Sequence, residues 1–262
     1  MKIYLISLVG DIDRRDSIKI NFPLNYTAMK IVNAVDGKNK TAKEYFDFLS
    51  IMYLKNKNLI TPSELGCTLS HIEALNLFLK SKDNQSLILE DDVMGEDKNI
   101  DLIINMSNYI PKNSILICGG QEGFDHWKYI VGKKIENNLY EIPRFSLKFI
   151  YRACCYVVDR ESAQYLYNYH NKNYNVVDHW YNILKKSDVK VFYCNQLSHP
   201  LDLSQSKIER EREIFYKNGF FLSNKSRKKN FFNKVFTRLI NDMTLIILLF
   251  LGYRFLKVNF NG

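Results

Sequence analysis

The chain has 262 residues, of which 46% are hydrophobic and 25% are charged. This length and composition predict one or two folded domains with a full-sized core, and they exclude a mainly disordered, collagen-like or low-complexity protein. The net charge of +9 is concentrated in residues 225–262, which hold eight basic residues and one acid, so we expect no nucleic-acid-binding face on the nearly neutral body.

The first forty residues predict a strand, a helix and a second strand. The apolar run at residues 3–9 is too short for the core of a signal peptide and indicates a buried strand. A helix is expected over residues 11–22 with Asp11 as N-cap, followed by a strand over residues 27–35 that ends at Asp36. Strand, helix and strand at this spacing indicate a βαβ unit and a parallel sheet.

The most definite helix start is the segment Thr61-Pro62-Ser63-Glu64. Thr61 is the expected N-cap, Pro62 suits the first helical position, and Glu64 completes a capping box. Leucine and isoleucine then recur at helical spacing through position 79. A long helix is therefore predicted from residue 62.

Short apolar runs predict the remaining elements. The expected strands span residues 86–89, 114–118, 153–158 and 189–193, and the expected helices span residues 99–109 and 160–169, with a short helix beginning at Asp178. We expect residues 121–150 to pass over the sheet edge and residues 200–224 to form a charged loop. The pattern predicts an α/β domain over residues 1–222, with a mostly parallel sheet flanked by helices, and a separate tail over residues 223–262.

The tail combines basic and apolar residues. Residues 225–239 mix lysine and arginine with phenylalanine, and residues 243–253 form an apolar run of eleven. A spanning helix needs about 20 apolar residues, so a basic, amphipathic and apolar helical tail lying on the anionic inner face of the cytoplasmic membrane is the favoured interpretation. The alternative is a core or interface helix packed on the body. Five cysteines without a C-x-x-C pair indicate a reducing, cytoplasmic compartment.

The triplet Glu90-Asp91-Asp92 follows a predicted buried strand. Ligands of open α/β sheets bind outside the carboxyl ends of the strands. The two-residue strand period would place Glu90 and Asp92 on one face and Asp91 on the other. A pair of carboxylates on one face can hold a hard divalent ion through oxygen, whereas the plainer interpretation is a solvated acidic turn.

Four blocks of the sequence, in this order, resemble glycosyltransferase family 25, the lipooligosaccharide glycosyltransferases of bacterial surfaces. They are YLISL with Arg14-Arg15, ELGCTLSHIEAL, LILEDDV and CCYVVDRESAQYL. The resemblance implies a GT-A-like fold, a UDP-sugar donor (UDP-galactose in the first place), Mn²⁺ or Mg²⁺, and inverting transfer that forms a β-linkage to a sugar of the lipooligosaccharide or lipopolysaccharide core. One departure is that the family's G-T-x-G-Y reads Arg152-Ala153-Cys154-Cys155-Tyr156, so both glycines are replaced.

Residue roles follow from the resemblance and from the chemistry of the side chains. Glu90, Asp92 and His199 are predicted to hold the metal. Asp178 is predicted to be the base that takes the acceptor hydroxyl proton, although an aspartate at a helix start commonly serves only as the N-cap. The residues predicted to contact the donor are Ser7, Leu8, Arg14, Arg15, Asp36, Ser70, His71, Asp91, Gln205 and Ser206.

Each of these residues also has a structural interpretation. A buried histidine satisfied by hydrogen bonds is the alternative for His71, a surface histidine for His199, and a turn residue for Asp36. Arginine suits phosphate, but one of Arg14 and Arg15 is expected on a solvated helix face. Gln205 and Ser206 are expected in a loop that folds over the donor and excludes water.

Three other functions compete with this prediction. A transferase of the same fold could use UDP-glucose or a UDP-N-acetylhexosamine. A metal-dependent nucleotidyltransferase or phosphohydrolase could use the same carboxylates, but the sequence has neither a P-loop motif nor H-E-x-x-H. A non-catalytic basic membrane-binding protein would depend on the tail and not on Asp92.

Overall fold

In the computed structural model, which describes residues 1–56, 59–124, 127–202, 206–217 and 231–256, helices cover both faces of a nine-stranded sheet. The helices are α1 (Ile12–Asn21), α2 (Ala42–Asn56), α3 (Pro62–Lys80), α4 (Asp97–Ser107), α5 (Arg160–Asn173), α6 (Trp180–Leu184), α7 (Lys207–Lys217) and α8 (Phe231–Phe250). The strands are β1 (Lys2–Ser7), β2 (Met29–Asn33), β3 (Gln85–Glu90), β4 (Ser114–Gly119), β5 (Val131–Glu136), β6 (Leu139–Glu141), β7 (Cys155–Asp159), β8 (Lys190–Leu197) and β9 (Arg254–Phe255).

The strand order is β2-β1-β3-β7-β4-β8-β6-β5-β9. β1 pairs in parallel with β2 and β3, which is the predicted βαβ arrangement, and β4 pairs in parallel with β8. β7 lies antiparallel between β3 and β4, and the β5–β6 hairpin extends the sheet beyond β8. The α/β class with flanking helices is confirmed, but the sheet is mixed where we expected mostly parallel strands, because β7 and the hairpin enter it in the opposite direction.

The core lies on both faces of the sheet. Along β1, Ile3 and Leu5 belong to the cluster that includes residues of α1 and α4, whereas Tyr4 and Ile6 belong to the cluster that includes residues of α3 and α5. This alternation follows from the two-residue period of a strand. Strands buried on both faces need apolar residues at nearly every position. For this reason these strands could be predicted from short apolar runs in the sequence.

The start of α3 confirms the predicted capping box. The Thr61 side chain accepts from the Glu64 backbone N–H at 3.2 Å, and Glu64 Oε2 accepts from the Thr61 N–H at 2.8 Å. The loop after β2 packs tightly on this helix end, since a Cβ at Gly37 would lie 1.7 Å from the Pro62 carbonyl oxygen. Only glycine fits this approach, and the capped helix thereby fixes the loop that carries Asp36.

Two helices lie where none was predicted. α2 packs through Met52 against Ile60 and Leu65. α7 occupies part of the segment expected to be a charged loop, and that expectation was wrong because long-range contacts stabilise it as a helix. Glu211 accepts from the Ser63 N–H at 2.8 Å, and Arg212 Nη2 lies 2.7 Å from Glu64 Oε1. The predicted boundary at residue 222 lies outside the described residues.

In the described part of the tail, helix α8 covers residues 231–239 of the predicted basic segment and residues 243–250 of the apolar run. It contacts the body where Tyr129 donates a hydrogen bond to Asp242 Oδ1 at 2.8 Å and where Leu245 packs on the core. Beyond it, β9 pairs antiparallel with β5, and Leu256 is buried in the core. Among the residues that the structure describes, no helix has the length and apolar character needed to cross a membrane.

Candidate active site

Two clefts open side by side and share Cys67, Glu90, Ser206 and Ile208 as lining residues. The β1 cleft is bordered by the end of β1, the loop after β2 and the acidic triplet. The α6 cleft is bordered by Asp178, Arg152 and α7. The two clefts meet at Glu90.

Most of the predicted site residues line these clefts. The β1 cleft contains Ser7, Leu8, Arg14, Asp36, Ser70, His71, Glu90, Asp91, Asp92 and Ser206. The α6 cleft contains Asp178 and His199, together with Glu90 and Ser206. Arg15 is not among the lining residues of either cleft, and Gln205 lies outside the described residues.

All three residues of the acidic triplet line the β1 cleft, and Glu90 also lines the α6 cleft. β3 ends at Glu90, and the Val93 N–H bonds back to the Glu90 carbonyl at 3.4 Å, so Asp91 and Asp92 lie in a turn. Arg14 Nη1 contacts both of them, at 2.9 Å from Asp91 Oδ1 and 3.3 Å from Asp92 Oδ2. The expectation that Asp91 points away from Asp92 was wrong, because strand alternation stops where the strand ends.

The three carboxylates differ in their proton affinity. Burial, together with the Glu90 carboxylate, raises the pKa of Asp92 to about 6, although His199 and Arg14 oppose this shift. Burial raises the pKa of Asp91 as well, against the hydrogen bonds of Ser7 and Arg14. Burial also acts to raise the pKa of Glu90, but the hydrogen bond and charge of His71 outweigh it and lower that pKa. The acidic triplet therefore concentrates negative charge that the neighbouring cationic side chains neutralise only in part.

His199 and Asp92 have the chemistry of a divalent-cation site. His199 Nε2 lies 3.6 Å from Asp92 Oδ2, and the other ring nitrogen, Nδ1, lies 2.9 Å from the Pro200 carbonyl oxygen. A carbonyl can only accept, so Nδ1 carries the proton in the neutral ring and Nε2 presents its lone pair to Asp92. Asp92 Oδ1 is buried and has no hydrogen-bond partner among the described residues. Oxygen and imidazole ligands of this kind fit Mn²⁺ and also suit Mg²⁺ through the carboxylates.

Asp178 is not the cap of α6. The N-cap residue of that helix is His179, which makes no side-chain capping hydrogen bond within the described part of the chain. Asp178 Oδ1 is buried with no hydrogen-bond partner there, and the residue lines the α6 cleft. A buried carboxylate oxygen without a partner costs free energy unless a ligand compensates it.

Sequence comparison agrees with the family resemblance. The sequence model of glycosyltransferase family 25 (LPS biosynthesis protein) matches residues 1–181. The chain belongs to glycosyltransferase family 25. The predicted family is thereby confirmed.

Similar proteins add weaker findings. A glycosyltransferase 25 family member of Anopheles gambiae is 31% identical over 100 residues, which is 36% of this chain, and the match covers only 17% of that relative's length. The galactosyltransferase LgtC, solved with donor and acceptor sugar analogs, is 11% identical with a TM-score of 0.38, covering 82% of this chain and 95% of that one. Mouse xyloside xylosyltransferase 1 is 9% identical with a TM-score of 0.36, covering 76% and 71%.

The family's Ser-His pair has structural contacts in this chain. Ser70 donates to the Gly66 carbonyl at 2.7 Å and accepts from the Val35 N–H at 2.8 Å, so it fixes the loop after β2 to α3. His71 is fully buried. Its Nε2 lies 3.0 Å from Glu90 Oε1 and its Nδ1 lies 3.0 Å from the Tyr156 hydroxyl. Because a carboxylate only accepts, Nε2 donates to Glu90, and in the neutral ring Nδ1 accepts from Tyr156.

Arg14 and Arg15 have divided roles. Arg14 faces the acidic triplet, as described above. Arg15 donates to the Ser7 hydroxyl at 3.0 Å, to the Leu8 carbonyl and to the Val9 carbonyl at 2.7 Å, so it holds the loop after β1 in place. The alternative of a solvated helix face does not describe either arginine, since both are bound to the cleft walls.

The substituted family glycine lies in the wall of the α6 cleft. Arg152 has φ 57°, in the left-handed region that glycine adopts most easily. Its guanidinium donates to the carbonyls of Gly120 at 2.9 Å and Glu122 at 2.8 Å, and its own carbonyl accepts from Trp180 Nε1 at 3.0 Å. The backbone here has a conformation that glycine would adopt without strain, and the Arg152 side chain adds a cation to the cleft.

Sequence reasoning missed the residues that α7 brings to the clefts, namely Ile208, Glu209 and Arg212. It also missed Cys67, which stands four positions before His71 within the ELGCTLSHIEAL block. The helical spacing could have indicated Cys67, because residues four positions apart, such as Cys67 and His71, share a face of a helix. No local pattern would have connected α7 with Glu64.

Proposed function

We propose that this chain transfers a sugar from a nucleotide-sugar donor in the β1 cleft to a sugar acceptor in the α6 cleft. The observation that carries this proposal is that the two clefts meet at Glu90 and that each is lined by an aspartate, Asp92 in the β1 cleft and Asp178 in the α6 cleft. In each aspartate the oxygen Oδ1 is buried and lacks a hydrogen-bond partner among the described residues. Family membership supports the reaction class.

A divalent cation, Mn²⁺ or Mg²⁺, would be held by Asp92, His199 and Glu90. When bound, it would neutralise the negative charge that develops on the departing nucleoside diphosphate. Arg14 already partly neutralises Asp91 and Asp92, which permits three adjacent carboxylates to persist at the end of β3. Asp36, at the loop fixed by α3, lines the β1 cleft, which supports a contact with the nucleoside part of the donor.

Asp178 would act as the general base. Its carboxylate takes the proton of the acceptor hydroxyl as that oxygen attacks C1 of the donor sugar, and the bond from C1 to the diphosphate oxygen breaks. Attack from the face opposite the diphosphate inverts the configuration and yields a β-linkage from an α-linked donor. α7 and Ser206 border both clefts, so they help to exclude water that would hydrolyse the donor.

The finer identity of the substrates rests on the family resemblance. We propose UDP-galactose as donor and a sugar of the lipooligosaccharide or lipopolysaccharide core as acceptor, in keeping with the family's description as LPS biosynthesis proteins. UDP-glucose and UDP-N-acetylhexosamines are the alternative donors. We place the protein in the cytoplasm, peripherally bound to the inner face of the membrane through α8.

The testing experiment measures UDP release from a panel of UDP-sugars with an oligosaccharide acceptor, with and without Mn²⁺. We expect UDP to be released from one of the donors, and we expect this release to require Mn²⁺. Asp92→Asn should reduce it at least a hundredfold, because a neutral amide loses the charge that holds a cation. Asp101→Asn, on the exposed surface of α4, is the matched control and should leave the rate unchanged. Equal rates in Asp92→Asn and the parent, or no UDP binding in a thermal-shift assay, would contradict the proposal.

A further inference from the structure

Cys67, His71 and Glu90 form a compact set of mixed ligands at the junction of the two clefts. One ligand atom from each side chain, Sγ, an imidazole nitrogen and a carboxylate oxygen, lies within 4.8 Å of the other two. Cys67 and His71 stand four residues apart on α3, so successive turns present them to the end of β3. Cys67 and Glu90 also line both clefts, which gives a cation a route from solvent.

The spacing of these atoms is close to that of a tetrahedral metal site. Zn²⁺ bonds of about 2.0 Å to nitrogen or oxygen and about 2.3 Å to sulfur place a nitrogen and an oxygen about 3.3 Å apart, and a sulfur and an oxygen about 3.5 Å apart. Here His71 Nε2 lies 3.0 Å from Glu90 Oε1, and Cys67 Sγ lies 3.9 Å from the same oxygen. Small side-chain rotations would bring all three onto one ion.

The surroundings of His71 match those of a metal-bound histidine. Nδ1 faces the Tyr156 hydroxyl at 3.0 Å, and the two rings stack with centroids 5.7 Å apart. When Nε2 gives its lone pair to a cation, the ring proton moves to Nδ1 and is donated to the Tyr156 oxygen. Such a partner for the second ring nitrogen orients the ligand and strengthens its bond to the metal.

We propose that Cys67, His71 and Glu90 bind a thiophilic divalent cation such as Zn²⁺, with a fourth position open to the clefts. On binding, the Cys67 thiol loses its proton to solvent and the thiolate becomes the ligand. The thiolate and imidazole favour Zn²⁺ or Co²⁺ over Mg²⁺. The Cys67 site therefore prefers different cations from the oxygen-rich site at Asp92, although both sites use Glu90 as a ligand. If the proposed function holds, occupation of the Cys67 site inhibits transfer by withdrawing Glu90 from the donor.

The test uses Co²⁺ as a spectroscopic probe on the full chain under anaerobic conditions with a non-thiol reductant. We expect a thiolate-to-Co²⁺ charge-transfer band in the near ultraviolet that saturates at one equivalent and disappears when Zn²⁺ is added. Cys67→Ser, a nearly isosteric change, should abolish the band. Circular dichroism and thermal melting of the apoprotein verify that this variant folds.

Two control variants locate the cation. Cys194→Ser changes a fully buried thiol elsewhere in the core and should retain the band. Asp92→Asn should also retain it, which separates the Cys67 site from the proposed donor site and makes the result independent of transferase activity. Absence of the band in the parent protein, its survival in Cys67→Ser, or its loss in Asp92→Asn would overturn the proposal.

Discussion

At the residue scale, Asp178 and His179 show how neighbouring positions divide structural and chemical roles. The backbone of His179 starts α6, because its carbonyl accepts from the Ile183 N–H at 3.1 Å. The Asp178 carboxylate therefore does not cap the helix. Its oxygen Oδ1 is buried beside the α6 cleft. This supports the base over the N-cap that the sequence left as an alternative.

We expect Asp178→Asn to lower kcat by about a hundredfold or more, because general-base catalysis typically contributes this much. Binding of the UDP-sugar should change little, since the residue lies in the α6 cleft and is not among the lining residues of the β1 cleft. Single-turnover rates and UDP affinity, measured separately, distinguish the two effects. Asp188→Asn, an exposed aspartate ten residues further on, is the control. A kcat within threefold of the parent would exclude Asp178 as the base.

At the element scale, α8 contacts the body with one face and exposes apolar side chains on another. Asp242 and Leu245 face the body. The exposed apolar residues of α8 recur at helical spacing and, among the described side chains, are Val235, Phe236, Leu239, Ile240, Met243, Ile246, Ile247 and Phe250. A contiguous apolar stripe of this length indicates a surface that is covered in use. Four of residues 225–229 are lysine or arginine, so under the proposed function we expect an anionic lipid surface to cover the stripe.

The double variant Met243→Glu, Ile247→Glu tests this stripe. We expect its affinity for vesicles containing anionic phospholipid to fall at least tenfold, because each apolar side chain contributes roughly 1.5–3 kcal/mol when buried. Glutamate keeps a high helix propensity, so α8 should remain folded. Vesicle sedimentation measures the binding. Leu102→Glu, an exposed apolar position on α4, is the control and should bind as the parent does. Equal binding by the double variant would reject the stripe as the lipid contact.

At the scale of the whole molecule, the buried His170 on α5 makes the stability depend on pH. Burial, together with the charge of His71, lowers the pKa of His170 to about 3, although a backbone hydrogen bond with Asn175 opposes the shift. In the unfolded chain a histidine has a pKa of about 6.5. Below pH 6.5 the unfolded state therefore binds a proton that the folded state does not. The free energy of unfolding should fall as pH drops from about 6.5 towards about 3.

From this difference, His170 alone should remove roughly 2 kcal/mol of stability between pH 6.5 and pH 5. Urea unfolding at these two pH values measures the loss. His170→Gln cannot titrate in this range, so its stability should change by about 2 kcal/mol less than that of the parent over the same interval, whatever its stability at pH 7. A parent and a His170→Gln variant with equal pH slopes would contradict the assignment.

The sequence alone predicted those parts of the fold that depend on neighbours in the chain. The βαβ start, the Thr61 cap with its capping box, and the strand that ends in the acidic triplet were all legible, because periodicity and capping act over a few residues. The family could also be predicted from the sequence, since each of the four blocks that resemble it is a contiguous segment. Ten of the predicted site residues line one cleft, because the loops that follow parallel strands gather at one edge of a sheet.

The tertiary structure decided what depends on contacts between distant residues. β7 enters the sheet antiparallel between β3 and β4, and no local pattern specifies the direction of a strand buried on both faces. α7 is held by the contact of Glu211 with Ser63, 148 positions away. Ser70 and Arg15, which the sequence predicts to contact the donor, hold the cleft loops through hydrogen bonds to residues distant from them or on another element. Sequence identifies which side chains carry chemistry, but whether each one faces a ligand or the protein itself depends on the packing that surrounds it.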